Sequence, residues 1–251
     1  MIQQFKNIEQ ASNAAVDQLT KLVRKAVSEK GFCSMVLAGG KTPRLTYELL
    51  GTVPNTEQMP WEQIHFFWSD ERWLADNHPD SNYYMIYKAL LAKVPIPPGN
   101  IHKIATGYTN PETGAEMYEK QLRVFFHSQS LGEMQRGAEE LNVPGFDLAL
   151  LGMGADGHTA SLFPGSDLLK EKRKWVGSVP EGVGTPPVAR ITLTLPALNL
   201  TENIIFLISG NRKREILQTI LTRPEEAEKI YPAARIKPTG KLIWLVAEKD
   251  D

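Results

Sequence analysis

Cysteine is nearly absent: Cys33 is the only one in 251 residues. An internal disulfide is therefore impossible and multi-cysteine zinc or iron–sulfur sites are excluded, which suits a reducing compartment. Long apolar runs are lacking as well. No stretch approaches the roughly 18 continuous apolar residues of a membrane-spanning helix, and Met1-Ile2-Gln3-Gln4-Phe5-Lys6 lacks the apolar core of a secretory signal. We expect a soluble cytoplasmic protein with no membrane partner. Net charge is also scarce, with 28 Lys and Arg against 29 Asp and Glu. Bulk electrostatics thus gives no reason to expect a nucleic-acid partner, although near-zero net charge leaves room for a local basic cluster. The five histidines show no metal-ligand spacing with one another or with Cys33, so no metal and no cofactor is expected. A G-x-S-x-G elbow is missing, which removes the nucleophile of a serine hydrolase. Oligomeric state has no signature here.

What is present is an alternation of helical and strand patterns. Residues 8–30 place Ile8, Ala11, Ala15, Leu19, Leu22, Val23, Ala26 and Val27 at helical spacing, and Gly31 follows where a helix C-cap sits. Residues 32–38 form a short apolar run ending at Gly39-Gly40, with a helix expected from near Pro43. Further strands are expected at 64–68, 101–104, 146–151, 189–194, 203–209 and 241–246. Helices are expected at about 81–93, 111–129 and 211–222 on the same periodicity. No linker or repeat divides the chain, and the Gly/Pro-rich stretch from Val179 to Pro187 reads as a surface loop. The expectation is one α/β domain spanning 1–251, with a mostly parallel sheet covered by helices on both faces. In such sheets the ligand crevice lies outside the carboxyl ends of the strands.

Four strand-end loops carry chemistry. In Gly39-Gly40-Lys41-Thr42-Pro43-Arg44, the two glycines allow a tight turn, Thr42 can cap, and Pro43 suits the first helical position. Backbone N–H groups would then point outward as an anion cradle; the plain alternative is an ordinary glycine-rich turn. A nucleotide P-loop is rejected, because Met35 stands where its first glycine is required. The second loop, Ser69-Asp70-Glu71-Arg72-Trp73, either binds an anion through Arg72 or forms a surface ion network. In the third, Gly152, Gly154 and Gly157 satisfy G-x-G-x-x-G after a strand. Asp156, however, sits where a pyrophosphate would lie, and no strand-end acid follows about 20 residues later, so a dinucleotide enzyme ranks last. The turn instead delivers Asp156 and His158 to the mouth of the crevice. A histidine titrates near neutrality, and a carboxylate that fixes its tautomer makes it a candidate general base. The fourth loop, Ser209-Gly210-Asn211-Arg212-Lys213-Arg214, reads either as a phosphate contact or as a solvated basic helix face.

Taken in order, these segments resemble the 6-phosphogluconolactonase family. The matching pieces are Leu37 to Pro43, Trp68 to Arg72, Ser81-Asn82-Tyr83, Gly152 to Pro164, Arg190 to Thr194, and Gly210 with Lys213. The block from Gly152 to Pro164 is the most specific. The resemblance implies a three-layer α/β/α Rossmann-like fold and metal-free hydrolysis of 6-phospho-D-glucono-1,5-lactone in the oxidative pentose phosphate pathway. It implies that His158 is the general base, that Asp156 orients it or a substrate hydroxyl, and that Arg72 and Lys213 hold the phosphate with the Gly39-Gly40 loop. Thr42, Asp70, Gly152, Gly154, Gly157 and Arg190 complete the expected substrate site. Two departures stand out. Ala38 replaces a serine of many relatives, which removes one hydroxyl from the cradle, and Ala247 replaces an acid near the last strand. Glucosamine-6-phosphate deaminase is the nearest alternative, but Arg72 and Leu162-Phe163 stand where its Tyr and Asn-Glu would be. A non-catalytic sugar-phosphate sensor would call for a DNA-binding segment, whereas the first 30 residues read as one helix.

Overall fold

The computed structural model describes residues 1–134 and 145–248. Strand Ile2–Phe5 (β1) precedes helix Ile8–Lys30 (α1), strand Cys33–Leu37 (β2) and helix Lys41–Leu50 (α2). Strands Ile64–Trp68 (β3) and Asp70–Arg72 (β4) follow, then helix Asn82–Ala89 (α3), the short strand Ile101–His102 (β5) and helix Pro111–Met134 (α4). The second half contains strands Leu148–Leu151 (β6), Val176–Val179 (β7) and Arg190–Leu193 (β8), helix Leu195–Asn199 (α5) and strand Asn203–Ser209 (β9). It ends with helices Asn211–Thr222 (α6) and Pro224–Ile230 (α7) and strand Lys241–Ala247 (β10).

Seven strands form one sheet in the order β1-β10-β9-β6-β2-β3-β5, and every pairing in it is parallel. Parallel strands need crossover connections, which cover the sheet with helices and leave its centre without a solvated face. Every residue of β2 and β6 is accordingly buried. Helix α1 shows how the sequence builds one covering layer. Its apolar stripe (Ile8, Ala11, Ala15, Leu19, Leu22, Val23, Ala26) is buried and packs on β2, β6, β9 and β10. The Asn7 side chain caps its start by accepting from the Gln10 amide at 2.9 Å, and Gly31 ends it in the left-handed region at φ 90°. Leu19 has no exposed surface, so truncating it to Ala would cost about 2–5 kcal/mol. Among the described residues no helix is long and apolar enough to cross a membrane.

Several elements differ from the expectations. The first 30 residues are not one helix: β1 precedes it and pairs with β10 at the sheet edge. Four residues of alternating partial exposure are too few to show a period. The strand expected at 189–194 forms, but outside the parallel sheet. It is β8, which pairs antiparallel with β4 and β7 in a separate three-stranded sheet. The strand expected at 101–104 shortens to Ile101–His102. The helix expected to reach 93 ends at Ala89, with a separate 3-10 turn at Leu91–Lys93, and α4 runs past residue 129. Thr42 does not cap α2. The helix starts at Lys41 behind Gly40, which takes the N-cap position at φ 103° with no side-chain cap bond.

Candidate active site

Strands β9, β6, β2 and β3 lie next to one another in the sheet, so the four loops that follow them emerge side by side at its carboxyl edge. Together they line a crevice of about 460 Å³. Gly39, Gly40 and Thr42 enter it from the first loop, Asp70 and Arg72 from the second, Gly152, Gly154 and His158 from the third, and Lys213 from the fourth. Arg190 joins them from β8. Asp156 and Gly157 do not line the crevice; they sit behind His158 in its turn.

The loops after β2 and β9 share one local solution. Gly40 and Gly210 are the N-caps of α2 and α6, at φ 103° and 99°, and neither helix has a side-chain cap. A helix start whose first amides are not taken by a capping side chain keeps them for an anion, and the helix dipole favours negative charge there.

The loop after β6 is folded around the histidine. The Gly154 amide donates to the His158 carbonyl at 2.8 Å and the Gly157 amide to the Gly154 carbonyl at 3.0 Å, and the Thr159 hydroxyl donates back to the Gly152 carbonyl at 2.9 Å. Asp156 Oδ1 accepts from the His158 backbone amide at 3.1 Å and lies 2.6 Å from His158 Nδ1. Burial alone would raise the Asp156 carboxyl, but the hydrogen bond and charge of His158 outweigh it and hold it below the usual range. An ionised carboxylate only accepts, so Nδ1 carries the imidazole proton and Nε2 keeps its lone pair. The His158 ring also packs on Phe163, with ring centroids 4.6 Å apart. Gly154 has a steric reason to be glycine: a Cβ there would lie 2.2 Å from His158 Cε1 and Nδ1.

The surface ion network offered for residues 69–73 does not form, because Asp70 and Glu71 are buried at 6% and 2% exposure. Asp70 accepts from the Ser69 hydroxyl at 3.0 Å and from the Ser161 hydroxyl at 2.6 Å, which ties the histidine loop to the small antiparallel sheet. Arg72 Nη1 donates to the Asp80 carbonyl at 2.8 Å and Arg190 Nη2 to the Pro186 carbonyl at 2.8 Å. Burial lowers the Arg190 guanidinium from its usual value, with Asp70 opposing. Asn82 and Phe163 line the crevice as well, although sequence reasoning gave neither a role; both lie inside the segments that carry the family resemblance. Thr185, another lining residue, comes from the Gly/Pro-rich loop and had no sequence signal. Among the described residues no group of three or more His, Cys, Asp or Glu side chains is arranged to hold a metal.

A family model described as glucosamine-6-phosphate isomerases/6-phosphogluconolactonase matches residues 6–244. The chain belongs to this family. A 6-phosphogluconolactonase of Synechocystis is 39% identical over 231 residues, which cover 92% of this chain and 88% of that protein. The crystal structure of a 6-phosphogluconolactonase from Thermotoga maritima superposes with a TM-score of 0.79 at 33% identity, covering 99% of both chains. The three-dimensional structure of the Trypanosoma brucei 6-phosphogluconolactonase gives 0.80 at 30% identity, covering 98% of this chain and 95% of the other. A monomeric glucosamine-6-phosphate deaminase superposes at 0.75 with 20% identity over 98% of this chain and 97% of its own, a likeness of fold. The α/β architecture is thus that of the family, with its crevice at the carboxyl edge of the sheet.

Proposed function

We propose that this chain, as a single domain over residues 1–251, hydrolyses 6-phospho-D-glucono-1,5-lactone to 6-phospho-D-gluconate, the lactone-opening step of the oxidative pentose phosphate pathway. The observation that carries the proposal is a carboxylate-oriented histidine sharing one crevice with Arg72, Arg190, Lys213 and the Gly39-Gly40 turn. The family relatives named 6-phosphogluconolactonase support the same substrate. The reaction belongs in a reducing aqueous compartment, the cytoplasm, where the single buried thiol of Cys33 needs no partner.

A δ-lactone is an activated ester, so a positioned water, a base and a stabiliser of the oxyanion suffice. His158 Nε2 takes a proton from water as the water oxygen bonds to the lactone carbonyl carbon. Asp156 stabilises the resulting imidazolium through Nδ1. As the tetrahedral intermediate collapses, the bond from the carbonyl carbon to the ring oxygen breaks, and the imidazolium returns its proton to that oxygen. The phosphate rests on the first-turn amides of α2 and on Arg72 and Lys213, and its binding energy orients the distant carbonyl. Where the deaminase resemblance would place Asn-Glu, this chain has buried Leu162 and Phe163, so the lactone reading is preferred.

The test is an initial-rate assay on freshly generated lactone with the spontaneous hydrolysis subtracted. Turnover that falls about 10²–10⁴-fold in His158→Ala supports the mechanism. Ammonia release from glucosamine 6-phosphate, with no lactone turnover, would replace it with the deaminase.

A further inference from the structure

Glu71 is the most heavily hydrogen-bonded carboxylate near the crevice, yet it does not line it. Its Oε1 accepts from the backbone amides of Arg72 at 2.7 Å and Asn82 at 2.8 Å. Its Oε2 accepts from the Tyr83 amide at 2.7 Å and the Ser81 hydroxyl at 3.2 Å. Burying a carboxylate is costly unless such donors surround it. Here they come from both ends of one loop: the chain leaves at Arg72 and returns at Ser81 to Tyr83, and the carboxylate closes it.

The two ends of that loop supply crevice side chains. Arg72 enters from one end, its guanidinium further held by the Asp80 carbonyl inside the same loop. Asn82 enters from the other. Its Nδ2 donates to the Asp70 carbonyl at 2.8 Å, which fixes the amide with Oδ1 turned to Gly39. The approach is so close that a Cβ on Gly39 would lie 1.8 Å from Oδ1. The Gly39-Gly40 turn therefore rests on the Asn82 side chain, and the Asn82 backbone rests on Glu71.

We infer that Glu71 is a positioning residue for anion binding, setting Arg72 directly and the Gly39-Gly40 turn through Asn82. The inference rests on the proposal that this half of the crevice holds the substrate phosphate. A charged group buried beside a cation-lined crevice is otherwise difficult to account for, since apolar residues would fill the space without its desolvation cost. The charged groups coupled to it are Asp70 and Arg190, and Arg72 meets it through its backbone amide. Burial, reinforced by Asp70 and opposed by the backbone amides, pushes the Glu71 carboxyl up to about 7. Only the ionised carboxylate has every acceptor position open to the loop.

The experiment measures the Kd of 6-phosphogluconate by calorimetry, together with kcat and KM on fresh lactone, for wild type, Glu71→Gln, Asn82→Ala and Arg72→Ala. The Gln side chain keeps the shape but turns an NH2 toward at least one amide donor. Kd and KM are expected to rise about tenfold in Glu71→Gln, with kcat falling by less than about threefold, because the His158 side is untouched. An unchanged Kd in Glu71→Gln, with Arg72→Ala weakened, overturns the positioning role and leaves the phosphate reading standing. An unchanged Kd in Arg72→Ala removes the phosphate reading, and this inference with it. Should Glu71→Gln fail to fold, Asn82→Ala decides, since it leaves the carboxylate and its amide donors in place. Weaker binding there supports the relay to Gly39, and wild-type Kd refutes it.

Discussion

Replacing Asp156 with Asn removes one charge from the His158 pair and changes little in volume. In the native pair, Oδ1 lies 2.6 Å from Nδ1, and the His158 and Asp156 side chains are 32% and 50% exposed. Opposite unit charges about 4 Å apart attract by about 1 kcal/mol in bulk water and about 4 kcal/mol at an effective dielectric near 20. A half-exposed pair falls between, at about 2 kcal/mol, which is about 30-fold in the stability of the imidazolium that the proposed mechanism forms during water attack. Tautomer control adds to this. An Asn amide can present its NH2 to the ring, which moves the imidazole proton to Nε2 and removes the base. Together these effects predict a fall in kcat of about 10²-fold, at the lower edge of the range for losing a general base outright. The assay is initial-rate hydrolysis of fresh lactone with the uncatalysed rate subtracted. The double variant with His158→Ala should be no slower than His158→Ala alone, because the carboxylate acts only through the ring. A kcat for Asp156→Asn within about threefold of wild type would refute the reasoning, as would a further loss in the His158→Ala background.

Three other perturbations test separate parts of the structure. Gly154→Ala places a methyl 2.2 Å from His158 Cε1, so the ring must rotate away from Asp156. We expect kcat to fall at least about tenfold with KM little changed, and wild-type kcat would show that the ring needs no such clearance. Gly39→Ala drives a methyl into the Asn82 amide at 1.8 Å. Overpacking of this kind costs about 1–3 kcal/mol in a urea titration and should weaken 6-phosphogluconate binding as well. On the neighbouring strands β3 and β5, His65 Nδ1 lies 3.0 Å from His102 Nε2. Burial lowers both rings, His102 to about 4 with His65 adding to the shift. The unfolded chain then binds more protons than the native one between about pH 4 and 6.5, so stability is fully present above that window and falls as pH drops through it. Allowing for solvent screening, the loss is about 1–2 kcal/mol, read as a urea midpoint that declines from pH 7 to pH 5. His102→Gln should flatten that slope, and a wild-type midpoint constant over the range would contradict the burial argument.

The parallel core was legible because burial on both faces writes itself as continuous apolar sequence, as in Cys33–Leu37, Leu148–Leu151 and Asn203–Ser209. Asp70–Arg72 was not legible. Its residues are Asp, Glu and Arg, and nothing local tells such a triplet that it will pair with Arg190–Leu193 and be buried. Val176–Val179 was hidden in a similar way, since Gly177 interrupts the strand signal and its partner β8 lies beyond the Gly/Pro-rich loop. The glycines of the site announced its loops because they are needed where the chain turns at positive φ or another group comes too close. Asn82 carried no such mark. Its part depends on meeting Gly39 from a different loop, and only the fold brings the two together.

How the crevice keeps a positive character in a chain of nearly balanced charge follows from which groups its acids and bases have chosen. Both oxygens of Asp70 accept from neutral hydroxyls, and Glu71 is occupied by amides and the Ser81 hydroxyl. The arginines are held in turn by backbone carbonyls, Arg72 by that of Asp80 and Arg190 by that of Pro186. Neither arginine is in an ion pair among the described residues. A carboxylate partner would orient a guanidinium equally well but cancel most of the field it projects into the crevice. A carbonyl fixes the same side chain through a dipole and leaves the net charge in place for an incoming anion. The acids are thus used to fold the loops and the carbonyls to aim the cations, a division that leaves the charges of Arg72 and Arg190 directed at the crevice they line.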